Sequence, residues 1–185
     1  MGDHLCLVGM MGAGKSEVGR ILGKRARRPF LDTDLEIAIR AGTSVAEMFE
    51  SRGEASFRRI ESSLVCGLLA GPVPRVLALG GGAVADPIVR HRLRSCATVV
   101  FLDAAPAVLE SRVGSGEGRP LLAGDAAAVL SRLRAARLRS YRDVADVTVD
   151  SSAGAPSVIA ETVFRKWQLL GRTAEGSTPI RDACS

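Results

Sequence analysis

Gly9, Gly14, Lys15 and Ser16 fall at the spacing G-x-x-x-x-G-K-S. Glycines let a backbone curl until successive N–H groups point inward at phosphate oxygens, and a helix beginning at Ser16 adds the positive end of its dipole. On this pattern Gly12, Ala13 and Gly14 cradle phosphates, Lys15 reaches the β- and γ-phosphates, and the Ser16 hydroxyl binds Mg²⁺. The competing reading is a structural glycine-rich turn.

Asp32 and Asp34 stand two apart at the end of a short apolar run. In an extended segment such residues face the same side, so both carboxylates can address one site. Asp32 suits a magnesium ion held through water, and Asp34 suits a base that takes a proton from a substrate hydroxyl. The plainer alternative is a pair of acids capping the next helix. Arg58 and Glu61 are i, i+3 neighbours, either a surface ion pair or an arginine held so that its planar fork meets a substrate carboxylate. Gly80-Gly81-Gly82 follows a strand directly and admits a ligand close to backbone N–H groups. Arg119 sits among Gly114, Gly116, Gly118 and Gly124, where an arginine on a closing lid would stand.

The elements that must position these residues alternate in the β-α manner of a parallel sheet covered by helices. His4 to Val8, Phe30 to Asp32, Val76 to Leu79, Thr98 to Leu102 and Val147 to Val149 read as five strands. Helices are expected at Ser16 to Arg27, from a Ser44/Glu47 capping box, along the Phe57, Ile60, Leu64 and Leu68 stripe, and after the Asp86-Pro87 cap. Three further helices end near Arg112, span Ala126 to Tyr141, and run from about Pro156 to Leu170. The expected class is α/β, a single three-layer domain over residues 1–170, with a frayed tail over 171–185.

Composition narrows the function. The longest apolar runs are far short of the ~20 residues of a membrane span, and nothing at the N-terminus reads as an export signal, so a cytoplasmic protein away from membranes is expected. The net charge of +5 suits an anionic partner, but an aromatic content of 4% argues against nucleic acid. Asparagine is absent, which excludes a guanine-reading N-K-x-D motif. Cys6, Cys66, Cys96 and Cys184 are scattered without a CxxC pair and read as reduced thiols rather than a zinc site.

Taken together, residues 9–16, Leu31-Asp-Thr-Asp34, Phe57-Arg58-x-x-Glu61, Leu79-Gly-Gly-Gly-Ala-Val84 and Arg119-Pro-Leu-Leu122 resemble the shikimate kinases in order and spacing, from residue 4 to about 168. The resemblance implies a phosphate-loop kinase fold with a five-stranded parallel sheet, ATP as co-substrate with Mg²⁺, and phosphorylation of the shikimate 3-hydroxyl by a monomer. It implies a shikimate-binding region over about 33–61 and a lid over about 114–124. It assigns Asp34, Arg58, Gly81 and an arginine before Tyr141 to shikimate. Lys15, Ser16, Asp32 and Arg119 go to MgATP, with Arg112 near the adenine, and Asp34, Lys15 and Arg119 carry catalysis. The family commonly reads R-x-P-L-Y where this chain has Arg137-Leu-Arg139-Ser-Tyr141, so Arg137 and Arg139 both remain candidates. Glu17 stands where the family usually has Thr, and Ala153 or Gly154 where it has a basic residue. Gluconate or another cyclitol acid as acceptor, and a nucleotide sensor without kinase activity, are the competing functions.

Overall fold

The structure, a computed structural model, describes residues 4–114 and 126–174. Five strands form one sheet: β1 (His4–Val8), β2 (Phe30–Asp32), β3 (Val76–Ala78), β4 (Ala97–Asp103) and β5 (Val147–Asp150), in the order β2-β3-β1-β4-β5. Every neighbouring pair is parallel. β1 lies at the centre and is buried at all five positions, which is why its apolar run does not alternate.

The helices are α1 (Lys15–Ala26), α2 (Thr33–Ala41), α3 (Val45–Leu69), α4 (Pro87–Cys96), α5 (Pro106–Val113), α6 (Ala126–Val144) and α7 (Pro156–Ala174). From β1 the chain crosses through α1 to β2 at one edge, whereas from β3 it crosses through α4 to β4 in the opposite direction. Right-handed crossovers running in opposite directions put their helices on opposite faces, which gives the three layers. α1 packs on α7, and α4 packs on α6. The reversal of winding lies between β1 and β3, and a crevice opens at the carboxyl ends of strands at such a point.

α2 and α3 pack on each other around a small cluster of Ile37, Met48, Phe57 and Leu64, while Val65 and Leu69 at the end of α3 belong to the main core. α2 forms where no strand was expected, and the Asp32 side chain caps it, as the plainer reading of the acid pair had it. α3 joins the two helices expected after Ser44 and through Phe57 across a kink at Gly53, whose φ of 74° and ψ of 161° are not helical. The Ser44/Glu47 capping box forms as expected. α7 continues to Ala174, past the expected stop at Leu170. Cys6 and Cys66 carry free thiols; Cys96, read as reduced from the sequence, is disulfide-bonded instead. No helix of the described residues is long and apolar enough to cross a membrane.

Candidate active site

The site begins where β1 stops. Gly9 leaves the strand with φ 146°, and a Cβ there would collide with the Leu102 carbonyl on β4. Gly12 and Gly14 follow at φ 80° and 87°, in the left-handed region that L side chains resist. The chain thereby curls back on itself and enters α1 at Lys15, with Gly14 as an N-cap that offers no side-chain acceptor. The first-turn N–H groups are left for an external anion. Lys15 bends over the loop and donates from Nζ to the Gly9 and Met10 carbonyls, both at 2.9 Å.

Asp32 ends β2, beside the first turn of α1. Its Oδ1 accepts from the backbone N–H of Asp34 at 3.1 Å and of Leu35 at 3.4 Å, while Oδ2 accepts from the Ser16 hydroxyl. The two readings of Asp32 therefore coexist: one oxygen caps α2 and the other faces the phosphate loop. Thr33, fully buried, accepts the Gly80 N–H at 2.9 Å and ties β2 to the glycine turn. Burial raises the pKa of Asp34, the neighbouring Asp32 charge adds to this, and Lys15 and Arg58 oppose it. Such a carboxylate is more basic than an exposed one.

On α3, Arg58 donates through Nη1 to Glu61 Oε2 at 2.6 Å, and through Nε and Nη2 to Glu54 Oε1 at 3.2 and 3.1 Å. Its guanidinium lies 5.4 Å from the Phe57 ring centre and 5.8 Å from that of Phe49. Glu61 is only 2% exposed, so this is no surface pair. Burial raises the Glu61 pKa against the pull of Arg58. Its second oxygen, Oε1, is buried without a hydrogen-bond partner among the described residues. Gly80 and Gly82 lack side chains because the site occupies that space. A Cβ on Gly80 would strike Glu61 Oε1 and Asp34 Oδ1, and one on Gly82 would strike the Arg58 guanidinium.

α6 places its two candidate arginines differently. Arg137 is buried to 9% exposure and donates to the Gly81 carbonyl at 3.3 Å. Arg139 points outward with a side chain 92% exposed, 3.8 Å from Asp143. Arg112, at the end of α5, bridges the Gly12 carbonyl at 3.4 Å and the Ser152 carbonyl at 3.3 Å. One cleft of about 730 Å³ is lined by Lys15, Ser16, Asp32, Asp34, Arg58, Gly81, Arg112 and Arg137, among others. Glu17 and Gly154 are also on its wall. Arg119 and all of the expected lid but Gly114 lie outside the described residues. Sequence reasoning did not single out Thr33, Glu54 or the Tyr141 hydroxyl. Tyr141 could have been found as the i+4 neighbour of Arg137, which a helix places on the same face.

A family model described as shikimate kinase matches residues 11–168. The chain belongs to the shikimate kinase family. As a member it is an ATP-dependent phosphotransferase acting on a shikimate hydroxyl. Among curated relatives, a shikimate kinase of Thiobacillus denitrificans is 41% identical over 96% of this chain and 97% of its own length. One of Nitrobacter winogradskyi is 47% identical over 81% of this chain and 70% of its own. The solved structure of an Acinetobacter baumannii shikimate kinase in complex with shikimate superposes with a TM-score of 0.87 at 33% identity, covering 91% of this chain and 94% of that one. A gluconokinase structure from Sinorhizobium meliloti, at 16% identity and a TM-score of 0.60, shares the fold alone.

Proposed function

We propose that this cleft transfers the γ-phosphoryl group of ATP to the 3-hydroxyl of shikimate, giving shikimate 3-phosphate and ADP. The observation that carries the reading is the joint placement, in one cleft, of the phosphate loop, the basic carboxylate Asp34 and two inward arginines, Arg58 and Arg137.

The nucleotide end belongs to the loop. Backbone N–H groups of residues 12–16 and the Lys15 ammonium face the phosphates, and Arg112 stands toward the base. The acceptor end belongs to Asp34, Arg58, Gly81 and Arg137. The two guanidinium groups match a carboxylate, which places that group at the α3/α6 side of the cleft and turns the ring hydroxyls toward Asp34. Asp34 then accepts the proton as the hydroxyl oxygen forms its bond to phosphorus and the bond from phosphorus to the bridging oxygen of ADP breaks. Positioning and charge neutralisation supply most of the rate in such a transfer.

Magnesium fits the residues present. Among the described residues no group of three or more His, Cys, Asp and Glu could hold a metal. Ser16 and Asp32 offer adjacent hard oxygens, already hydrogen-bonded to each other, beside the phosphate loop. A magnesium ion commonly takes only one or two protein ligands and completes its shell with phosphate and water. When bound it neutralises phosphate charge. The lid arginine Arg119, a monomeric state and a cytoplasmic location belong to the same reading.

The test is ADP release in a coupled assay with shikimate, quinate, gluconate and a cyclitol without a carboxylate. Shikimate should give the highest kcat/KM and the cyclitol the lowest. Equal rates with and without the acceptor carboxylate would overturn the roles of Arg58 and Arg137.

A further inference from the structure

Tyr141 is the one tyrosine of the chain and is completely buried on α6. Its ring stacks on Phe101 of β4 with centroids 5.0 Å apart and planes 16° apart. Its hydroxyl donates to the Gly81 carbonyl at 2.5 Å, and the Met10 sulfur of the phosphate loop lies 3.7 Å from the same oxygen. Arg137, one helical turn earlier, donates to that carbonyl too, at the longer distance of 3.3 Å. The middle glycine of the turn is therefore placed differently from its neighbours. A Cβ on Gly81 would meet nothing nearer than 3.5 Å, so hydrogen bonds and not crowding set its position.

The two donors are unequal. The tyrosine bond is short and comes from a rigid, stacked ring; the arginine bond is near the long limit for N–H···O. A guanidinium that must also meet an acceptor carboxylate has to weaken or leave its resting bond. Doing so strands a carbonyl in the cleft wall unless another donor stays, and a stranded acceptor is costly.

We propose that Tyr141 is a positioning residue for the acceptor: it keeps the Gly81 carbonyl satisfied and the glycine turn in place, which lets Arg137 turn to the shikimate carboxylate. Burial pushes the Tyr141 hydroxyl up to about 12, with Arg137 opposing, so it remains a donor throughout the neutral range. The inference rests on the reading of Arg137 as an acceptor ligand, and the experiment separates the two.

Steady-state kinetics are measured for Y141F, R137A and the double variant, with thermal unfolding of each. Loss of one hydrogen bond predicts that Y141F raises the shikimate KM by about fivefold to tenfold and changes the ATP KM by less than about twofold. In the R137A background the same substitution should raise the shikimate KM by a smaller factor than in the parent, because the arginine it frees is gone. Effects that multiply fully, an equal rise in both KM values, or a lowered melting temperature with an unchanged shikimate KM would overturn the inference. Failure of the underlying reading looks different: R137A alone would then leave the shikimate KM at the parent value, and the Tyr141 role falls with it.

Phe keeps the stack on Phe101, so Y141F should fold. If it does not, the parent protein gives the answer. Its single tyrosine hydroxyl proton should give a slowly exchanging NMR resonance that survives saturation with shikimate. Exchange with solvent on shikimate binding would show that the hydroxyl leaves Gly81, and would overturn the proposal.

Discussion

At the scale of the residue, the acceptor side is built around a charge that the fold has withdrawn from water. Glu61 is buried, and its nearest counter-ion among the described residues is Arg58, the arginine proposed to meet the substrate. Arg58→Ala should therefore act twice. It should raise the shikimate KM by about 10–100-fold, the worth of a charge-assisted hydrogen bond, and leave the ATP KM nearly unchanged. It should also lower stability by about 1–3 kcal/mol, because a buried carboxyl loses its partner. Adding Glu61→Gln should recover part of the stability and none of the KM, which urea unfolding and kinetics on the pair will check. Lys15 differs, since its ammonium lies on the Gly9 and Met10 carbonyls of the phosphate loop. Lys15→Ala should lower kcat by about 10²–10³-fold. A rate within tenfold of the parent would overturn its assignment to the phosphates.

At the scale of the element, the sequence carried the strands and the phosphate loop because both are local. An apolar run ending in glycines specifies a strand and a turn without reference to the rest of the chain. The glycine turn at 80–82 was legible as a place for close approach of a ligand; that its missing side chains make room for Arg58, Asp34 and Glu61 depends on α3 arriving there from a distant part of the chain. That Arg137 lines the cleft and Arg139 faces outward likewise needed the rotation of α6 about its axis, which two residues of spacing leave undetermined. α2 was legible only through the alternative reading of Asp32 as a helix cap. The start of α3 is testable by pH. Hydrogen bonds from Thr43 and from the Ser44 backbone and hydroxyl pull exposed Glu47 from 4.5 down to about 2. A depressed carboxylate stabilises the fold above its unfolded value, and that contribution is lost as pH falls through the folded one. The stability difference between parent and Glu47→Ala should thus be full above pH 4.5 and shrink towards pH 2, followed by urea midpoints across that window. A difference independent of pH would mean that Glu47 acts only through helix propensity.

At the scale of the whole molecule, two cores share the work. The sheet and its flanking helices fix the phosphate loop, whereas α2 and α3 carry Asp34, Arg58 and Glu61 around a smaller apolar cluster, with the end of α3 anchored in the main core. Closure over both substrates would complete the site, and the sequence assigns that step to Arg119. Removing an arginine that meets the transferring phosphoryl group should lower kcat more than it raises the ATP KM, by as much as about 10³-fold. Arg119→Lys should recover only part, because an ammonium lacks the planar fork. A kcat near the parent value, with ATP affinity alone reduced, would make Arg119 a nucleotide clamp.

The crowding at Gly80 and Gly82 bears on how this enzyme could evade an inhibitor. Every replacement at either position brings a carbon into space already held by Glu61, Asp34 or Arg58. Resistance by substitution there would cost the cell the catalyst it needs to keep. A compound that leans on the main chain of residues 80–82, rather than on exposed side chains at the cleft rim, would press where escape mutations have least room.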